Sequence, residues 1–137
     1  MADTIASLGD PTQQTVILTG GVRTPSAALV GPVADLTIRS LHVDQLFLGA
    51  HGIDAGAGLT TPNLAEAETN RALISSAREV IVLADSTKWG MVGLADFGPL
   101  GAADIVITDD GLPADARVAL EDAVDEVILV APTPDGT

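Results

Sequence analysis

Short apolar runs separated by helix signals constrain the fold of this chain most. Val80–Ala84 reads VIVLA, has no polar position, and is too short to be a globular helix. Runs of the same kind occupy Asp104–Thr108 and Val127–Val130. Strands that are apolar on both faces are typical of parallel sheets, because helices cover both sides of such sheets.

Helix signals fall between these runs. Gly31-Pro32 places proline at a first helical position. Asn63, with Glu66 three residues later, resembles a capping box. The predicted helices span 32–41, 63–78 and 113–124. On the first helix Val33 and Leu36 are expected to face inward.

The second predicted helix has a less regular pattern. Its expected buried face consists of Leu64, Ala67, Ile74 and Ala77, with Glu66, Asn70 and Arg71 at the margin. Glu68 and Arg71 have the spacing of a surface ion pair.

Two further strands are predicted, over 15–18 and 43–49. Residues 22–30 are ambiguous, and residues 89–101 resemble a loop because they contain several glycines and a proline. Alternating strands and helices predict an α/β fold: an open, mostly parallel, Rossmann-like sheet of about five strands with flanking helices.

Composition limits the classes of function. The 137 residues suit one domain, and the lack of cysteine excludes disulfides and thiolate chemistry. No segment resembles a membrane helix or a signal peptide, so a cytoplasmic location is expected. The net charge of −13 disfavours direct binding of nucleic acid by this chain.

The segment Val43–Asp54, VDQLFLGAHGID, is the first place to look for a site. A strand is expected to end near Gly49 and to be followed by a polar loop with His51, Gly52 and Asp54. Ligands of open α/β sheets bind outside the carboxyl ends of the strands. No second histidine has metal-ligand spacing, so a metal site is not expected.

A second candidate follows the strand at 80–84, where Asp85 and Lys88 lie three residues apart. Lysine suits a phosphate, and aspartate accepts hydrogen bonds from sugar hydroxyls. The alternative is a surface turn capped by Asp85. Lys88 is the only lysine, and it lies at the end of the sheet where ligands bind, which favours the functional interpretation. Gly20-Gly21 fits equally a plain turn and a loop that lets a ligand approach the backbone.

Taken together, the motifs resemble a known family. They occur in the order Ile17-Leu18-Thr19-Gly20-Gly21, Leu29-Val30-Gly31-Pro32, Phe47-Leu48-Gly49-Ala50-His51-Gly52, Gly58-Leu59-Thr60, Glu66-Ala67-Glu68 and Asp85-Ser86-Thr87-Lys88. This order resembles the C-terminal sensor domain of DeoR-type transcriptional repressors, which is similar in fold to ribose-5-phosphate isomerase and glucosamine-6-phosphate deaminase.

The resemblance implies a sensor of a phosphorylated sugar or related metabolite, with no cofactor. In this sequence it assigns ligand contacts to Gly20, Gly21, Gly49, His51, Gly52, Glu66, Asp85 and Lys88, with Glu68 a weaker alternative to Glu66. It divides the chain into a lead-in at 1–14, a partial sensor domain at 15–131 and a tail at 132–137.

The resemblance also implies parts that these 137 residues lack. Members of the family carry an N-terminal winged helix-turn-helix that binds DNA, and a leading strand with a Ser/Thr-Gly phosphate loop. We therefore expect a fragment of a longer regulator or a truncated gene product. Without the leading strand, one edge of the parallel sheet would be unpaired, and an unpaired edge favours association. A homo-oligomer is therefore expected.

Three functions remain open from the sequence. The first is a non-catalytic effector-binding domain. The second is an isomerase- or deaminase-like enzyme, for which His51, Asp54 and Glu66 would supply acid–base groups. The third is an oligomerisation module that binds no ligand.

Overall fold

Nine strands and three helices make up residues 14–131, the part of the chain that the computed structural model describes. The tail at 132–137 and all of the lead-in except Gln14 lie outside the described residues. The strands are β1 (Val22–Arg23), β2 (Leu29–Val30), β3 (Val43–Gly49), β4 (Gly52–Asp54), β5 (Gly58–Thr61), β6 (Ala77–Leu83), β7 (Ala95–Gly98), β8 (Ile105–Asp109) and β9 (Glu126–Val130). The helices are α1 (Pro32–Arg39), α2 (Leu64–Ser76) and α3 (Ala114–Ala123), and 3-10 turns occupy Ser86–Lys88 and Leu100–Ala102.

The central sheet is parallel, which confirms the predicted fold class. Its strand order is β3-β6-β8-β9, and all three pairings are parallel. The run predicted to be the clearest strand lies largely in β6, between β3 and β8. About five strands were predicted, and residues 14–131 contribute four to this sheet.

The missing strand is the one predicted at 15–18. These residues are not in a strand, and the side chain of Ile17 is 70% exposed. A strand is stable only when a neighbour accepts and donates its backbone hydrogen bonds. No described strand pairs with residues 15–18, so β-branched composition alone does not make them a strand.

Two antiparallel sheets were not predicted. β1 and β2 form a hairpin across the ambiguous residues 22–30, and β4, β5 and β7 form a three-stranded sheet. Gly52–Asp54 and Ala95–Gly98 are therefore strands where loops were predicted. At Gly52 a Cβ atom would lie 2.1 Å from the carbonyl oxygen of Met91, so the close approach of two backbone segments requires glycine there.

One face of the parallel sheet carries the main core. Leu48, Val82 and Val106 belong to a single buried cluster with Ala67 from α2 and Leu120 from α3. The core is aliphatic except for Phe97 and the half-buried Trp89. Its interior strands therefore depend on close packing of branched side chains rather than on aromatic rings.

The predicted inner face of α1 is wrong. Val33 and Leu36 are exposed, Leu36 by 74%, whereas Ala34, Asp35 and Ile38 are buried. Ala34 and Ile38 form a small cluster with Ala72 of α2. Ala34 and Ala72 are small, so the two helices can approach closely. This contact orients α1 with Val33 and Leu36 facing outward, although they were predicted to face inward.

The predicted face of α2 is wrong in part. Leu64 is exposed, although Ala67 is buried and Ile74 is half-buried. Glu66 and Asn70 were expected at the margin and are buried. The helix ends at Ser76, two residues before the predicted end, and Ala77 begins β6.

The second face of the parallel sheet is not part of the main core. The ladder registers place Phe47, Ile81 and Ile105 in one row, and Leu83, Ile107 and Ile128 in the next. We call these six residues the open face. Phe47 is 52% exposed and Leu83 is exposed, Ile105, Ile107 and Ile128 are half-buried, and Ile81 at the centre of its row is buried. Within residues 14–131, no helix is long and apolar enough to cross a membrane.

Candidate functional site

A cavity of about 970 Å³ lies at the carboxyl ends of β3 and β6. Its walls come from five places: the two strand ends with the segments that follow them, helix α2, the β1–β2 hairpin, residues 17–19, and helix α1 at Ile38. The polar side chains among its lining residues are those of Thr19, Arg23, Ser26, His51, Glu66, Thr69, Asn70, Asp85 and Lys88.

Most of the predicted site residues meet at this cavity. Gly49, His51, Glu66, Asp85 and Lys88 all line it. Parallel pairing explains how they come together. Because Gly49 lies opposite Leu83 in the ladder, the segments that follow β3 and β6 start at the same edge of the sheet.

The other three predicted residues, Gly20, Gly21 and Gly52, are not among the cavity-lining residues. Gly20 and Gly21 have φ of 74° and 110°, in the region that favours glycine. A Cβ atom on Gly21 would lie 2.6 Å from the carbonyl oxygen of Val30, so packing against the hairpin accounts for glycine at that position. A ligand contact by these glycines stays a prediction.

Asp85 caps the 3-10 turn that carries Lys88. Its Oδ1 accepts a hydrogen bond from the Thr87 backbone N–H at 2.9 Å and another from the Thr87 hydroxyl. Asp109 Oδ1 accepts from the Ser86 N–H at 3.0 Å and fixes the start of the turn. The capping and site interpretations of Asp85 are therefore compatible, because the cap holds Lys88 at the cavity.

These contacts also set the charge of Asp85. The hydrogen bond from the Thr87 hydroxyl holds the pKa of the Asp85 carboxyl below its usual value, against the opposing effect of burial. The Thr87 N–H and the charge of Lys88 lower this pKa to a lesser degree. Asp85 is thus ionised at neutral pH beside the ammonium group of Lys88.

Glu66 faces the cavity because other groups complete the cap of α2. Asn63 Oδ1 accepts from the Glu66 N–H at 2.9 Å, as a helix cap should. The Asn63 N–H donates to the Thr61 hydroxyl at 3.4 Å, so the Glu66 carboxylate does not close a capping box. It instead lies with Oε1 3.8 Å from His51 Nε2.

The predicted alternative to Glu66 points elsewhere. Glu68 pairs with Arg71 on the surface of α2, which confirms the expected ion pair, and Glu68 is not among the cavity-lining residues. Asp54 is also outside the cavity lining. Its Oδ2 accepts from the N–H groups of Gly56 and Ala57, each at 2.9 Å, and so stabilises the β4–β5 turn.

Sequence reasoning missed several lining residues. Arg23 and Ser26 lie in or beside the β1–β2 hairpin, whose two-residue strands give no periodic signal. Thr69 and Asn70 lie on α2, where a polar residue inside a helix usually indicates a solvated face. Nothing in the sequence distinguishes Thr69 and Asn70 from polar residues on the surface of a helix.

The cavity has a mixed charge, with cations from Arg23 and Lys88 and carboxylates from Glu66 and Asp85. Such a set can bind an anionic group and also hydrogen bond hydroxyls.

A second cavity of about 420 Å³ is lined by Asp44, Gln45, Arg78, Glu79, Asp104 and Asp125. Four carboxylates against one cation make that cavity a poor site for an anion.

Sequence comparison gives the family of the chain. The profile of the family described as "DeoR C terminal sensor domain" matches residues 1–110. The chain belongs to this family. The chain is 40% identical over 109 residues to the HTH-type transcriptional regulator GlpR of Haloferax volcanii. This alignment covers 79% of the chain.

Two relatives from Escherichia coli are also similar to the sensor domain. It is 37% identical over 116 residues to a putative aga operon transcriptional repressor of strain O157:H7, and 30% identical over 108 residues to the glycerol-3-phosphate regulon repressor of strain K12. These alignments cover 84% and 78% of the chain. The sensor domain spans less than half of each of these three relatives, 43% in every case.

We predict that Thr87→Val raises the pKa of the Asp85 carboxyl toward its usual value, because the hydroxyl donor is lost. A ¹³C NMR titration of the side-chain carboxyls measures this, with Thr19→Val at the cavity rim as the control. Since the folded-state pKa is the lower one, the carboxylate stabilises the native state at neutral pH, and this contribution is lost as the pH falls through that pKa. An unchanged pKa in Thr87→Val would contradict the assigned cause.

Proposed function

We propose that this chain is the effector-binding domain of a transcriptional regulator, that residues 15–131 form the domain, and that the effector is a phosphorylated sugar or a related phosphorylated metabolite. The observation that carries the proposal is the position of Lys88. The single lysine of the sequence lines the cavity at the carboxyl ends of parallel strands, on a turn fixed by Asp85 and Asp109.

The chemistry of the cavity supports this class of ligand. The ammonium group of Lys88 and the guanidinium group of Arg23 suit a phosphate, and Arg23 adds the fork of donors that fits phosphate oxygens. The carboxylates of Glu66 and Asp85 are acceptors for sugar hydroxyls. One relative is named a glycerol-3-phosphate regulon repressor, which fits a phosphate ester as the effector.

A regulatory role without catalysis is the better of the two proposals for the site. The relatives are named as transcriptional regulators and repressors. His51 and Glu66 lie 3.8 Å apart, but the third group considered for acid–base chemistry, Asp54, is engaged in the β4–β5 turn. We propose no cofactor and no direct DNA contact for this chain, whose net charge is −13, and a cytoplasmic location in keeping with a regulator.

We predict that Lys88→Ala abolishes the binding of phosphate esters with little loss of stability, because the half-buried lysine makes no ion pair among the described residues. A ligand at a hundredfold its dissociation constant stabilises the parent by about 2.7 kcal/mol. A thermal-shift screen of sugar phosphates, with free sugars and inorganic phosphate as references, measures the effect as several degrees in midpoint.

The matched control for this screen is Arg78→Ala. Arg78 lies near the amino end of β6, at the second cavity, and its loss changes the net charge equally. The proposal requires the Arg78 variant to bind like the parent. Equal binding by the Lys88 variant and the parent would contradict it.

We also propose that two copies of this chain associate through the open face. Parallel sheets are normally covered on both faces, and here α2 and α3 contribute to the core on the other side. The same six apolar residues on a second copy provide a matching surface related by twofold symmetry. β3 is also an edge strand, with β6 as its only partner among the described strands.

We predict that Phe47→Thr weakens self-association at least about tenfold, because each copy loses an apolar ring from the interface. Threonine retains strand propensity. Light scattering after size-exclusion chromatography, over a range of concentrations, measures the change. Val118→Thr, at an exposed position on α3, is the control. A parent chain that stays monomeric, or a Phe47 variant that associates as the parent does, would contradict the proposal.

A further inference from the structure

Asn70 differs from the other polar residues on the buried side of α2. Only 5% of its surface is exposed, and it lines the cavity. Its carboxamide takes part in no hydrogen bond among the described residues, yet no fully buried side-chain nitrogen or oxygen atom in residues 14–131 lacks a partner. The residue therefore borders the open space of the cavity.

Its neighbours show that this is not a general property of the helix. The Thr69 hydroxyl donates to Asp35 and accepts from the Gly31 N–H at 3.1 Å, so it serves the contact between α1 and α2. Glu66, one turn before Asn70, lies against His51. Of these three residues, only Asn70 has a neutral group whose donors and acceptor are all without a partner within residues 14–131.

A carboxamide and a hydroxyl are complementary, because each can donate and accept. An amide carries no net charge, so it adds no charge attraction for a phosphate, whereas it matches a hydroxyl in both donor and acceptor. A site that hydrogen bonds a hydroxyl rejects an analogue that lacks it, since the polar group of the protein is then buried without a partner.

We propose that Asn70 is a specificity-determining residue that hydrogen bonds a hydroxyl of the ligand whose phosphate Lys88 binds. The inference rests on the proposed function and goes further, because it assigns selection among phosphate esters to a residue distinct from the one that binds the charge. It places the hydroxyl-bearing part of the ligand against α2, next to Glu66.

The experiment compares esters that differ in hydroxyl groups. Calorimetry gives the dissociation constants of glycerol 3-phosphate, ribose 5-phosphate and glucosamine 6-phosphate, with propyl phosphate as the reference without hydroxyls. In the parent, the best hydroxylated ester should bind more tightly than propyl phosphate. In Asn70→Leu this preference should fall roughly tenfold while the affinity for propyl phosphate is unchanged.

Thermal stability distinguishes recognition from a structural role. Leucine has the same number and branching of side-chain heavy atoms as asparagine. It replaces an amide that has no partner within residues 14–131 by apolar surface, so the midpoint of Asn70→Leu should not fall. A lower midpoint with an equal loss of affinity for every ester would overturn the inference. Asn70→Asp, which retains the size but loses the N–H donors, provides a second test if the leucine variant does not fold.

Lys88→Ala separates the two proposals. If the parent binds no phosphate ester, or if Lys88→Ala binds all of them normally, the proposed function fails and the inference fails with it. If the parent prefers a hydroxylated ester and requires Lys88, but both Asn70 variants retain the preference, only the inference about Asn70 fails.

Discussion

Parallel pairing of β3 with β6 is the constraint on which the candidate site depends. Parallel strands end at the same edge of a sheet, and here Gly49 lies opposite Leu83. Two segments distant in sequence, one with His51 and one with Asp85 and Lys88, are thereby brought to one cavity. The Ser86 N–H donates to Asp109 and the Thr87 N–H donates to Asp85, which fixes the second segment. The position of the lysine therefore follows from the ladder and its local turn.

Helix α2 forms both the core and the wall of the cavity. Ala67 belongs to the main core and Ala72 to the contact with α1, whereas Glu66, Thr69 and Asn70 are buried polar residues. Burying polar groups costs stability unless they find partners. Thr69 has such partners in Asp35 and Gly31, but Asn70 has none among the described residues. An amide that borders the cavity and has no partner within residues 14–131 is placed to hydrogen bond a ligand there.

The sequence predicts the parts of the structure that have strong local signals. The apolar run in β6, the proline at the start of α1 and the asparagine cap of α2 each have a single physical interpretation, and each prediction is confirmed. Lys88 was predicted to lie at the site because the end of an apolar strand is an identifiable place.

The rest depends on tertiary contacts that local patterns do not contain. Val33 and Leu36 of α1 are exposed, whereas Ala34 and Ile38 pack against Ala72 of α2. Residues 15–18 have strand composition but no neighbouring strand. β4, β5 and β7 are short and glycine-containing, and pairing rather than propensity makes them strands.

An NMR titration of ¹⁵N-labelled chain with sugar phosphates tests the central claim most directly, namely that the cavity at the carboxyl ends of β3 and β6 binds a phosphorylated ligand. The account predicts that the amide resonances that shift cluster at residues 49–51, 66–70 and 85–88. Shifts confined to Asp44, Arg78 and Glu79 around the second cavity, or no shifts with any phosphate ester, would contradict it.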